Sequence, residues 1–164
     1  MITYTINADG AKSPNSDDGI ASWAFLVHDS TAKRIYSRYG ALGLGYSHNF
    51  AEYYAILEAL KFCISNQDKQ FTIKTDSKLC VDQLLGAAVT QAETLVQINQ
   101  VCLSMFDSFN QDNKPRLIWI PREKNALADT LTKKAIDYLK KSSHVKSLAL
   151  ESWSVEPWNL IPQV

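Results

Sequence analysis

No apolar run in this 164-residue chain approaches the roughly 18–20 residues that a membrane span needs, so no membrane association is expected. Cysteine is scarce. Cys63, Cys80 and Cys102 are odd in number, lie in apolar stretches and form no Cys-x-x-Cys pair. That pattern argues against a disulfide framework and a zinc site, and reads as buried thiols in a reducing compartment. Met1 to Gly10 alternates like a strand and carries no basic segment, so no secretory leader is expected and the cytosol is the expected location. An excess of either charge is also missing: 17 basic residues balance 17 acidic ones. Binders of nucleic acid are often basic, and the bulk charge argues mildly against one. Between Leu79 and Asn113 there is no Lys or Arg at all. A surface that tracks phosphates must therefore draw on residues such as Lys12, Arg34, Arg38, Lys74, Lys78, Arg116, Arg122 and Lys124.

What is present is the patterning of one α/β domain, residues 1–141, followed by a tail, 142–164. Ile2, Tyr4, Ile6 and Ala8 alternate with polar residues, which predicts a strand. Lys12 to Gly19 reads as a turn, and two further strands follow at Ser22 to Val27 and Arg34 to Leu42, completing an antiparallel meander. The period then changes. Tyr53, Ile56, Leu57, Leu60 and Ile64 fall at helical spacing, with Ser47 or Asn49 as the N-cap. Phe71 to Thr75 is a strand, Ser77 to Leu85 a helix closed by Gly86, and Glu93 to Phe109 a second helix. Arg116 to Ile120 is the last strand and Ala126 to Lys141 the last helix. Strands alternating with helices need parallel crossovers, so the expectation is a five-stranded mixed sheet: a meander extended by parallel strands and flanked by helices. The tail holds Trp153, Pro157, Trp158 and Pro162. Packing back on the domain is its favoured reading, and a protein partner the alternative; the molecule is expected to be a monomer.

Four acids stand where such a sheet would gather them. Asp9 and Asp76 are expected at the ends of the first and fourth strands. If those strands are parallel neighbours, their chains run about 4.8 Å apart and both carboxylates emerge at one edge. Ligands of open α/β sheets bind at that edge, where the strand order reverses. Glu52 and Asp129 are expected in the first turns of their helices. Clustered carboxylates raise one another's pKa unless a cation neutralises them. Oxygen ligands without a nearby His or Cys call for Mg²⁺ or Mn²⁺. Two such ions about 3.5–4 Å apart can activate a water and stabilise a leaving oxygen in phosphodiester hydrolysis.

The strings around these acids are distinctive: Asn7-Ala8-Asp9-Gly10, Asn49-Phe50-Ala51-Glu52-Tyr53, Thr75-Asp76-Ser77, and the block from Pro121 through Arg122-Glu123-Lys124-Asn125 to Asp129. In that order they resemble the signatures of type 1 ribonuclease H, over about residues 1–140. The resemblance implies a ribonuclease H-like fold and cleavage of the RNA strand of RNA–DNA hybrids. It implies that Asp9 bridges two Mg²⁺ ions, replaceable by Mn²⁺, that Glu52 and Asp76 hold one, and that Asp129 helps hold the other. Ser47 matches a hydroxyl that contacts a DNA-strand phosphate, and Asn49 a polar residue that reads the minor groove. Arg122 and Asn125 are also carried over as substrate contacts, while His48 occupies a position often filled by Asn.

Two departures matter. The bacterial enzymes carry a flexible-loop His before the last Asp, whereas this loop is short and reads Pro121-Arg122-Glu123, as in the archaeal-type branch. Arg122 would then contact a phosphate or the leaving group. The uncharged stretch from Leu79 to Asn113 replaces the basic, Trp-containing handle of many relatives, which weakens the case for tight binding but not for cleavage. Trp23 and Trp119 lie within strands and are expected in the core. The competing reading is a non-catalytic module that binds hybrids or proteins, and four retained acids argue against it.

Overall fold

A computed structural model describes residues 2–141 and the backbone of Trp158 and Asn159. Apart from that pair, the expectations for the tail, 142–164, lie outside the described residues. The elements are β1 (Thr3–Ser13), β2 (Ile20–His28), β3 (Arg34–Gly43), α1 (His48–Ile64), β4 (Gln70–Thr75), α2 (Lys78–Leu84), α3 (Glu93–Asp107), β5 (Arg116–Trp119), α4 (Ala126–Lys141) and β6 (Trp158–Asn159). A single 3₁₀ turn, Arg122–Lys124, leads into α4. The sheet order is β5-β4-β1-β2-β3-β6. β1, β2 and β3 pair antiparallel, and β1 with β4 and β4 with β5 pair parallel. The five expected strands form the mixed sheet, and β6 adds two residues beside Ser37 and Arg38 at its edge.

Period-two alternation on β2 explains the layers. Trp23, Phe25 and Val27 pack with Ala55, Ile56 and Leu60 of α1, while Ala24 and Leu26 pack with Ala128, Leu131 and Ala135 of α4. Both faces of β2 are covered, so it reads as a nearly continuous apolar run. The alanines let α4 approach the sheet closely. Burying one large apolar side chain in such a core stabilises by about 1.5–3 kcal/mol.

Local signals set the helix ends. Ser47 caps α1, its Oγ accepting from Phe50 N at 3.0 Å, and Ser77 caps α2 by accepting from Cys80 N at 3.3 Å. Gly86, at φ 81°, follows the C-cap of α2 in the left-handed conformation that a side chain would disfavour. No helix among the described residues is long and apolar enough to cross a membrane.

Three expectations need correction. β1 does not end at Asp9 but runs on to Ser13, because the meander continues to pair it with β2 through Ser13↔Ile20. Glu52 is the fifth residue of α1, in its second turn, since Ser47 and not Asn49 is the cap. Trp119 is not core: it is 48% exposed, its indole N–H donating to the Asp76 carbonyl at 3.2 Å.

Candidate active site

The parallel ladder between β1 and β4 stops at Ala8↔Thr75, whereas β1 continues alone toward β2. That step opens a gap in the sheet, and the acids gather in it. Asp9 is the first β1 residue beyond the ladder, and Asp76 is the first residue after β4. Glu52 enters from α1. Carboxylate oxygens of Asp9, Glu52 and Asp76 all lie within 4.8 Å of one another. Asp129, in the first turn of α4 as expected, is not part of this tight triad but lines the same cleft of about 500 Å³.

Gly10 makes the approach of α1 feasible. A Cβ at this position would land on the backbone of Ala51 and Glu52, so the helix can sit here only over a glycine. The Gly10 N–H then donates to Glu52 Oε2 at 3.0 Å. His48 lies one helical turn before Glu52, and its Nε2 is 3.3 Å from Oε1. The expectation of a site without His is thus wrong. The spacing of four residues was the signal for it.

Burial and like charge act together on the cluster. Asp9 is pushed up to about 9, by burial first and then by the negative charges of Glu52, Asp76 and Asp129. Burial also raises the Glu52 carboxyl, opposed by its hydrogen bond from His48. The His48 imidazole is in turn raised, chiefly by that hydrogen bond. A divalent cation would relieve this repulsion, and an all-carboxylate triad suits a hard one. The residues present therefore fit a metal.

The fourth acid already has cationic company. Lys133 Nζ lies 2.6 Å from Asp129 Oδ2, and an Arg122 guanidinium nitrogen 3.9 Å from Oδ1. Thr132 links the two sides: its hydroxyl donates to the Asp129 carbonyl at 2.7 Å and lies 3.5 Å from Asp9 Oδ2. The sequence reading missed Lys133, although it stands four residues after Asp129 on the same helix face.

The expected substrate contacts divide. Ser47 is exposed, and its lone pair is engaged by Phe50 N–H, which leaves its O–H free to donate outward. Asn49 and Arg122 line the cleft, the Arg122 side chain 78% exposed. Lys12 and Lys78 line it as well, Lys78 in an ion pair with Asp82 at 2.8 Å. Asn125 is different. It is 2% exposed and does not line this cleft; its amide is engaged inside the protein. Nδ2 donates to the Ala8 carbonyl at 2.8 Å and to Asp76 Oδ1 at 3.2 Å, and Oδ1 accepts from Asn7 Nδ2 at 3.1 Å.

Comparison with known proteins accords with this geometry. The chain is similar to ribonuclease H1 from the halophilic archaeon Halobacterium salinarum at 24% identity, covering 83% of this chain and 98% of that one, with a TM-score of 0.73. The N-terminal ribonuclease H domain of a Mycobacterium tuberculosis protein matches at 23% identity, over 84% and 96%, with a TM-score of 0.73. LC11-RNase H1, isolated from compost by a metagenomic approach and solved in complex with an RNA/DNA hybrid, matches at 25% identity, over 84% and 99%, with a TM-score of 0.75. The fold is that of type 1 ribonuclease H. A family model described as reverse transcriptase-like matches residues 7–135, and the chain belongs to that family.

Proposed function

We propose that this member of the reverse transcriptase-like family is an endoribonuclease that hydrolyses the RNA strand of RNA–DNA hybrids. The observation that carries the reading is the carboxylate triad of buried Asp9 and Glu52 with half-buried Asp76, and Asp129 on the same cleft. Hybrid as the substrate is supported by the likeness to LC11-RNase H1, which was solved with one bound.

Asp9, Glu52 and Asp76 would hold one divalent cation, and Asp9 with Asp129 a second. Mg²⁺ is the natural choice for carboxylate oxygens, and Mn²⁺ a substitute. When bound, the pair supplies an activated water and neutralises charge on the leaving oxygen.

The rest falls to the chain's own side chains. The free Ser47 O–H donates to a phosphate of the DNA strand and fixes the register of the duplex. Asn49, on the cleft wall, meets the minor groove, where a 2′-OH marks the RNA strand. Arg122 and Lys78 flank the acids and attract the phosphates that the acids would otherwise repel. Lys133 and Arg122 hold Asp129 until substrate and cation compete for it. In this reading the protein acts as a monomer in the cytosol.

The test is a panel of duplexes, each labelled on one strand, with Mg²⁺ or Mn²⁺ present. The expected result is internal cleavage of hybrid RNA, with the DNA strand and duplex DNA left whole. Hybrid binding without cleavage in either cation would favour a non-catalytic module instead.

A further inference from the structure

We propose that Asn125 is a positioning residue for the metal-holding carboxylates, acting on Asp76 and on the strand that carries Asp9. The proposal rests on the reading that Asp76 is a metal ligand. Asn125 joins three of the four elements that bear acids. Its side chain reaches Asp76 just beyond β4 and the carbonyl of Ala8, the residue before Asp9 on β1. Its main chain accepts from Asp129 N at 3.1 Å and donates to the Arg122 carbonyl at 2.9 Å, closing the start of α4.

The amide orientation follows from its partners. Both N–H bonds point at acceptors, Ala8 O and Asp76 Oδ1, and the carbonyl faces the N–H of Asn7. A flipped amide would set carbonyl against carbonyl and N–H against N–H, so one rotamer is fixed. Asn125 is 2% exposed and its bond to Ala8 is fully buried, while those to Asn7 and Asp76 are partly so, which limits the access of competing water. Asp76 Oδ1 thus has one lone pair held by an N–H, which fixes the carboxylate whose ligand oxygen lies within 4.8 Å of those of Asp9 and Glu52. Partners of this kind are worth roughly 10–100-fold in metal affinity or activity at metal sites. Asn7 extends the arrangement by one bond, holding the amide that holds Asp76.

The experiment uses the whole chain, with Asn125→Ala, Asn7→Ala and Asp76→Asn beside wild type. Mn²⁺ binding to the free protein is followed by electron paramagnetic resonance, normalised to the folded fraction from circular dichroism. Turnover number and KM on hybrid are measured in parallel. Asn125→Ala keeps the main-chain bonds and removes only the amide. It should weaken Mn²⁺ binding about 10–100-fold and lower kcat by a similar factor, with KM for hybrid within about twofold of wild type. Asn7→Ala keeps both N–H donors and should give a loss of the same sign, a few-fold in size. A raised KM with unchanged Mn²⁺ affinity would overturn the proposal in favour of direct substrate contact. Equally contrary is Mn²⁺ affinity and kcat per folded molecule equal to wild type, which leaves only a role in the fold. If Asn125→Ala does not fold, Asn7→Ala decides by the same criteria. Asp76→Asn separates the two layers. If it binds Mn²⁺ like wild type, the ligand reading fails and the proposal with it; if it loses binding while the asparagine variants keep theirs, the proposal alone fails.

Discussion

Asp9 is the residue on which the electrostatics of the site converge. Its carboxyl is driven up to about 9 by burial and three neighbouring acids. In the unfolded chain it would titrate at about 3.9. A carboxyl raised in the folded state favours folding while it is protonated in both states. That contribution is lost as pH climbs from the unfolded value through about 9. Metal-free protein should therefore melt at lower temperature as pH rises from about 5 to 9, and Asp9→Asn should remove much of that slope. At neutral pH the variant should melt higher than wild type by ~5 °C or more, because about 1 kcal/mol moves the midpoint of such a domain by roughly 2–8 °C. Its cleavage should be lost. A variant no more stable than wild type across that range would show that Asp9 is not strained. Gly10 presents the converse. Gly10→Ala places a methyl on the α1 backbone, so α1 must shift, at a cost of about 1–3 kcal/mol. Denaturant melts should show that loss together with a drop in activity greater than the folded fraction explains, since Glu52 moves with the helix.

At the scale of elements, Ser47 has two duties that substitutions can separate. Ser47→Ala removes the cap of α1 and should cost about 1 kcal/mol of stability. Ser47→Asp keeps a capping oxygen but puts negative charge where a phosphate would sit. It should match wild-type stability and bind hybrid less well than Ser47→Ala does. Equal hybrid affinity for wild type and both variants would remove Ser47 from the substrate surface. Elements such as α1 were legible in the sequence because apolar residues at helical spacing follow a cap residue. The order of strands and helices was legible from the change of period along the chain, and so was the convergence of Asp9, Glu52 and Asp76 on one spot. What the sequence hid was tertiary. The end of β1 is set by its antiparallel partner, which outlasts its parallel one, and nothing within β1 marks the difference. Trp119 looked like a core residue because it lies within a strand, but β5 is an edge strand and leaves the indole half open. Asn125 looked like a contact because it belongs to the distinctive block, yet only packing shows that its amide faces inward.

At the scale of the whole molecule, the charge balance bears on how hybrid is held. Basic residues at the cleft are Lys12, Lys78, Arg122 and Lys133, and two of them are engaged at 2.8 Å or less with Asp82 and Asp129. Few cations are left to displace counterions from the duplex, so the affinity for hybrid should fall only gently with salt. Lysines grafted at Ala87, Ala88 and Val89, an exposed loop with no basic residue near it in sequence, should steepen that dependence by about 0.7–0.9 per added phosphate contact and lower KM. A slope already steep in the natural protein would point to a basic surface elsewhere, with Arg34, Arg38 and the Lys140–Lys141 pair to be replaced first. The central claim, that a carboxylate cluster holding divalent cations cuts RNA in hybrids, is tested most directly by one titration. Hybrid labelled on its RNA strand is incubated with wild-type protein and with Asp9→Asn, from chelator alone up to millimolar Mg²⁺ or Mn²⁺. Cation-dependent internal cuts by wild type, with none from the variant, are the predicted result. Cleavage that survives chelation, or that Asp9→Asn performs at a near-normal rate, would contradict the account.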